Sequence, residues 1–133
     1  MTMDIIQSLL LIAAVVTIII NQYNESKRHK LQFFAEYTRR YQEIILVMPS
    51  DEKDPQFLKY MQLYFDLCSE EFFLNKKGVI DKEVWKLWAD GMAFAMRRPL
   101  FANAWKGHLA QHYNDKDFIH FMSELVRENH NKK

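Results

Sequence analysis

Breakers are scarce in this chain: it holds three glycines and three prolines, and none of either precedes Pro49. Nothing before that point forces a helix to stop, so one helix can run from about Asp4 to Met48, roughly 65 Å at 1.5 Å per residue. Cysteine is scarcer still. The single Cys68 excludes a disulfide-stapled secreted domain and fits a reducing compartment. Charge is missing from residues 5–24, and no Lys or Arg precedes Lys27. No stretch alternates with a period of two over a convincing length, which excludes a sheet. A glycine-rich phosphate loop, GxSxG and HExxH are all absent, and with them the common signatures of nucleotide, acyl-transfer and zinc-hydrolase chemistry. An excess of one charge is lacking too. The formal net charge is +1, a poor electrostatic case for DNA or RNA.

What is present begins with those same residues 5–24. A helix crossing the hydrocarbon core needs about 20 largely uncharged residues. The centre, Leu9 to Ile20, is apolar apart from Thr17. A buried core helix would carry a polar face, and from Ile5 to Ile20 only Gln7, Ser8 and Thr17 are polar. A cleaved signal peptide opens with Lys or Arg and ends in small residues. This stretch opens beside Asp4, and bulky polar residues follow Ile18, Ile19 and Ile20. The expectation is an uncleaved anchor over residues 1–24 and a helical domain over residues 25–133. Lys27, Arg28 and Lys30 follow the span at once, which puts Met1 outside and the domain in the cytoplasm. The same three bases are placed to touch anionic lipid headgroups.

Within the span, Gln7, Leu10, Ala14, Thr17 and Asn21 follow helical seam spacing. They gather the polar and small residues on one face, while Ile5, Ile12, Val16 and Ile19 point elsewhere. Such a face suits another helix or water better than acyl chains, so it reads as a helix–helix seam or a narrow pore lining. The plainer reading is that Gln7 and Asn21 lie near the two interfaces and snorkel. There is no GxxxG.

After the span the chain turns aromatic. Phe, Trp and Tyr make up 14% of it, and Tyr23 alone among them lies within the span. That favours a packed core over a disordered tail. Leu31, Phe34, Thr38, Tyr41, Ile45 and Met48 form one stripe, flanked by Phe33, Tyr37 and Ile44. Asp54 and Pro55 read as the start of a second helix, with Leu58, Met61, Phe65, Cys68 and Phe72 on one face and Phe57, Tyr60, Tyr64 and Leu67 beside it. Apolar on two adjoining faces, it should be central. Lys76, Lys77 and Gly78 end it. Asp81 caps a third helix striped by Trp85, Trp88, Met92 and Ala95. Pro99 stops that helix and opens a fourth, with Phe101, Ala104, Trp105, Leu109 and His112. Asn114 or Asp115 starts a last helix with Phe118, Phe121, Met122 and Leu125. The expected fold is all-α: an N-terminal transmembrane helix continuous with the first helix of a cytoplasmic four- to five-helix bundle.

Candidate chemistry is thin. Glu70 and Glu71 are adjacent acids, but neighbours on a helix point about 100° apart and cannot easily act on one atom. Glu71 lies on the aromatic side; a buried ion pair with Arg97 or Arg98 is the expected use. His108 and His112 share a helical face, yet no second Cys or acid cluster completes a metal set, so no metal and no cofactor is expected. The Arg-then-His spacing of helical ribonucleases is missing, with nine residues between Arg98 and His108 and two between Arg127 and His130. Trp85, Trp88 and Trp105 suit a core more readily than an aromatic cage.

The run YFDLCSEEFFLNKKGVIDKEVWKLWADGM, from Tyr64 to Met92, resembles small bacterial membrane-anchored helical proteins of unknown function. The residues that carry the likeness are Glu70, Glu71, Lys77, Gly78, Ile80, Asp81, Trp85 and Trp88, followed by Pro99, Leu100, Phe101 and Trp105. The resemblance implies one N-terminal span, a short cytoplasmic helical domain and no enzyme activity. Three functions are in view. The first is a non-enzymatic, single-pass membrane protein that self-assembles or binds a protein partner. The second is an oligomeric pore or depolarising effector in phage defence, of the layout seen in membrane accessory proteins of CRISPR systems. The third is a sensor holding a nucleotide or lipid among Arg97, Arg98 and the tryptophans.

Overall fold

The computed structural model describes residues 2–131, with side-chain environments from 4 to 128. Five α-helices follow one another: α1 (Thr2–Val47), α2 (Phe57–Lys76), α3 (Lys82–Met96), α4 (Pro99–Ala104) and α5 (Lys116–Asn131). A π-helical turn (Trp105–Leu109) and a 3-10 turn (Ala110–His112) join the last two. No strand occurs among the described residues. The fold is therefore all-α, as the spacing of apolar residues requires. The frayed tail expected from Asn129 falls partly outside the described residues; α5 itself continues to Asn131.

The chain divides into two compact units, Met1–Phe33 and Phe34–Lys133. The first is the N-terminal part of α1, long and apolar enough to cross a membrane, with none of its apolar window buried by protein. Two hydroxyls there turn back onto their own backbone. Ser8 Oγ donates to the Asp4 carbonyl at 2.9 Å and Thr17 Oγ1 to the Ala13 carbonyl at 2.8 Å. Ser8 and Thr17 thus satisfy their donors without any partner outside the helix.

The second unit packs the rest of α1 with α2 to α5. As expected, α2 is central: Phe57, Met61, Tyr64, Phe65, Leu67 and Cys68 are all buried. Around it sit Phe101, Trp105, Phe118 and Met122, each at most 1% exposed. Their rings meet tilted or edge-on, Phe65 to Trp105 at 5.1 Å and Trp105 to Phe118 at 5.7 Å, geometries that favour aromatic pairs. The Trp105 indole N–H donates to Ser123 Oγ at 3.2 Å, so burying the ring strands no donor. From the end of α1, Ile44 and Ile45, with Met48 just after the helix, pack on this core, whereas Leu31 and Tyr41 of the expected stripe stay exposed.

The turns follow sequence chemistry with two differences. Gly78 adopts φ 73°, and the Val79 N–H reaches the Leu74 carbonyl at 3.1 Å, closing α2 in a Schellman turn. Asp115 Oδ1 accepts from the N–H groups of Asp117 and Phe118, capping α5. α2, however, starts at Phe57 and not at Pro55. Asp54 Oδ1 accepts from the Gln56 N–H at 2.8 Å, which holds a separate turn ahead of the helix. The expected single fourth helix is also corrected. After six residues of α4 the ladder widens, and the Ala110 N–H bonds the Trp105 carbonyl five residues back. With that wider turn, Trp105 and Leu109 are both buried while Lys106, Gly107 and His108 stay outside.

Candidate functional site

Within the second unit, α1, α2 and α3 border a half-open cavity of about 270 Å³. α1 contributes Phe34, Tyr37, Thr38 and Tyr41 to its wall, and α3 contributes Leu87, Trp88, Gly91 and Met92. At its base α2 supplies Tyr64, Cys68 and Glu71. The rings lean together: Tyr37 lies 5.6 Å from Trp88, and Tyr41 lies 6.3 Å from Tyr64. The amphipathic spacing of three helices explains this. Each turns its aromatic side inward, and large rings on three sides cannot close on one another completely.

Glu71 supplies a carboxyl to this space. It is 7% exposed. Burial pushes its carboxyl up to about 8, against the pull of Arg40 and with the push of Glu70, so it is mostly protonated at neutral pH. No sealed side-chain nitrogen or oxygen among the described residues lacks a hydrogen-bond partner. Among the described residues no side-chain hydrogen bond or ion pair involves the Glu71 carboxyl, and Glu71 lines the cavity. Beside it, burial raises the Cys68 thiol and the Tyr64 phenol well above their usual ranges, so both stay protonated.

The expected pairing of Glu71 with Arg97 or Arg98 is overturned. Both arginines are exposed, and Arg98 lies over the Phe101 ring at 4.9 Å. The ion pair of this region joins Arg40 to Glu70 at 2.5 Å. Arg40 sits 30 residues away in sequence, beyond the reach of any local pattern. The tryptophans do not converge. Trp88 lines the cavity, Trp85 packs on Phe72 and Phe121, and Trp105 is in the core against Phe65, Tyr113 and Phe118. His108, His112 and His120 are all exposed, and no group of three metal-ligating side chains occurs among the described residues.

A second recess, about 560 Å³, is lined by Arg40, Glu43, Asp66 and Glu70, charges of both signs. Tyr113 donates to Asp66 Oδ1 there at 2.8 Å, and burial with that bond raises the phenol. Along α3, Leu87 at the cavity rim and Phe94 are 62% and 64% exposed, with Gly91 between them. In the first unit Leu10 is exposed, as are Gln7, Ala14, Thr17 and Asn21. Lys27 and Arg28 are exposed and Lys30 is half-buried. Sequence reasoning singled out Glu71 and Trp88 but missed Phe34, Tyr37 and Tyr41 as partners in one site. Their three- and four-residue spacing on α1 was the available signal.

No family model, no curated protein and no solved structure matches this chain.

Proposed function

We propose that this chain is a non-enzymatic, single-pass protein of a bacterial inner membrane, with Met1 outside, whose cytoplasmic helical domain brings copies of itself together. The observation that carries the reading is the uncovered apolar surface of residues 5–20. Eleven large aliphatic side chains there have no protein cover. At about 1.5–3 kcal/mol each they represent on the order of 20 kcal/mol of burial, more than the whole stability of a typical domain. Lipid is the medium that supplies that burial. Lys27, Arg28 and Lys30 then fall at the inner headgroups.

Self-association is supported by two further features. The seam of Gln7, Leu10, Ala14, Thr17 and Asn21 offers one small, weakly polar face inside the bilayer. The Leu87, Gly91 and Phe94 row leaves an apolar strip with a flat centre on α3, where a Cβ at Gly91 would meet nothing within 4 Å. Bases and acids nearly balance after the span, so like copies do not repel strongly. A non-enzymatic role accords with a buried, protonated Cys68 and with Glu70 and Glu71 facing different surroundings. Light scattering of the detergent-solubilised particle tests the reading. More than one copy per particle is expected, with Phe94→Lys shifting the mass toward one copy. A wild-type particle of one copy at all concentrations contradicts it.

A further inference from the structure

We propose that the cavity between α1, α2 and α3 binds a substituted ammonium group, held between the Glu71 carboxylate and the faces of Tyr37, Tyr41, Tyr64 and Trp88. Size, wall and base each narrow the choice. At about 270 Å³ the space lies just under the roughly 300–1,000 Å³ of drug-sized pockets, which suits a small organic group. Aromatic faces carry negative potential and attract cations; surrounding rings are the common means of holding quaternary ammonium. An anion would meet those faces and an acid, and the nearby guanidinium of Arg40 is already paired with Glu70 and lies over one face of Tyr37 at 5.0 Å, which leaves the other face of that ring for a guest. A purely apolar guest would cover the Glu71 oxygens and give them no partner, an unfavourable burial. An ammonium ion meets both demands. It supplies the acid with a counter-charge and the rings with a cation.

Leu87 and Gly91 line this cavity and also belong to the apolar strip on α3, so the two surfaces meet there. Two sources offer the same chemistry: a free amine or the amine headgroup of a phospholipid. Binding an ammonium ion requires ionised Glu71, so affinity rises with pH. The other charged or titratable groups facing it are Tyr37, Arg40 and Tyr41 from α1 and Tyr64, Cys68 and Glu70 from α2; α3 presents none to the cavity. Burial raises Tyr37, Tyr64 and Cys68, which keeps them neutral through this range.

Calorimetric titration of the whole chain in uncharged detergent uses choline, which does not itself titrate, against its neutral isostere 3,3-dimethyl-1-butanol. Saturable choline binding is expected, at least ten-fold tighter than the isostere and more than ten-fold tighter at pH 8.5 than at pH 6.5. Glu71→Gln, isosteric and expected to fold, should weaken it at least ten-fold. Trp88→Leu should weaken it and Trp88→Phe retain it, each with circular dichroism confirming the fold. Repeating the titration in nanodiscs distinguishes the sources. Competition seen with phosphatidylethanolamine discs but not with phosphatidylglycerol discs marks the lipid headgroup as occupant; equal binding in both marks a free amine. No saturable binding, equal binding of the isostere, or undiminished binding by a folded Glu71→Gln protein overturns the proposal.

Discussion

Glu70 and Glu71 carry the same side chain one position apart, and the fold gives them opposite fates. The 100° step of the helix sends Glu70 outward to Arg40 and Glu71 inward among rings. That divergence was legible from the apolar spacing of α2. The identity of the partner was not, because Arg40 is brought to Glu70 by packing between helices and not by sequence proximity. The consequence for Glu71 is measurable. Unfolded, its acid releases the proton near 4.5; folded, it does so only near 8. Between those values the unfolded state binds fewer protons, so stability falls as pH rises. Glu71→Gln removes this slope. In chemical denaturation the variant should match the wild type near pH 5 and exceed it above pH 8, by up to about 4 kcal/mol at 1.36 kcal/mol per pH unit. Parallel pH profiles for the two proteins would refute the buried, protonated acid.

At the scale of elements, the turn between α2 and α3 is the most completely legible part of the chain. Lys76 and Lys77 lie at the carbonyl end of α2, Gly78 takes the left-handed conformation, Ile80 is buried behind it, and Asp81 stands at the start of α3. Every one of those steps is local, so sequence chemistry alone specifies it. Gly78→Ala keeps the space open, since nothing lies within 4 Å of the added Cβ, but imposes the left-handed backbone on a residue that resists it. The expected loss is about 1–2 kcal/mol, read as a lowered unfolding midpoint. The segment after Pro99 is the opposite case. Its residue spacing suits one regular helix, yet a π turn intervenes at Trp105–Leu109. That widening is set by where α2 and α5 leave room for Trp105, against Phe65 and Phe118, and no pattern within the segment encodes those positions. The aromatic wall on α1 lies between these extremes. Its periodicity was visible, but the partners that make it a cavity come from α2 and α3.

For the molecule as a whole, the two units expose different kinds of surface. The second unit packs a ring-rich core and gives the buried Trp105 indole and the Tyr113 phenol partners of its own. In the first unit none of the apolar window is buried by protein, and the Ser8 and Thr17 hydroxyls turn back on their own backbone. A helix built this way is poorly suited to water and well suited to hydrocarbon, where backbone and hydroxyl groups must be satisfied within the helix. The length and lack of charge that signal this were plain in the sequence. Alkaline carbonate extraction of membranes from cells expressing the whole chain addresses it most directly. The account requires the protein to stay in the membrane pellet and to leave it only with detergent. Recovery of the intact chain in the aqueous supernatant, as a dissolved compact monomer, would contradict it.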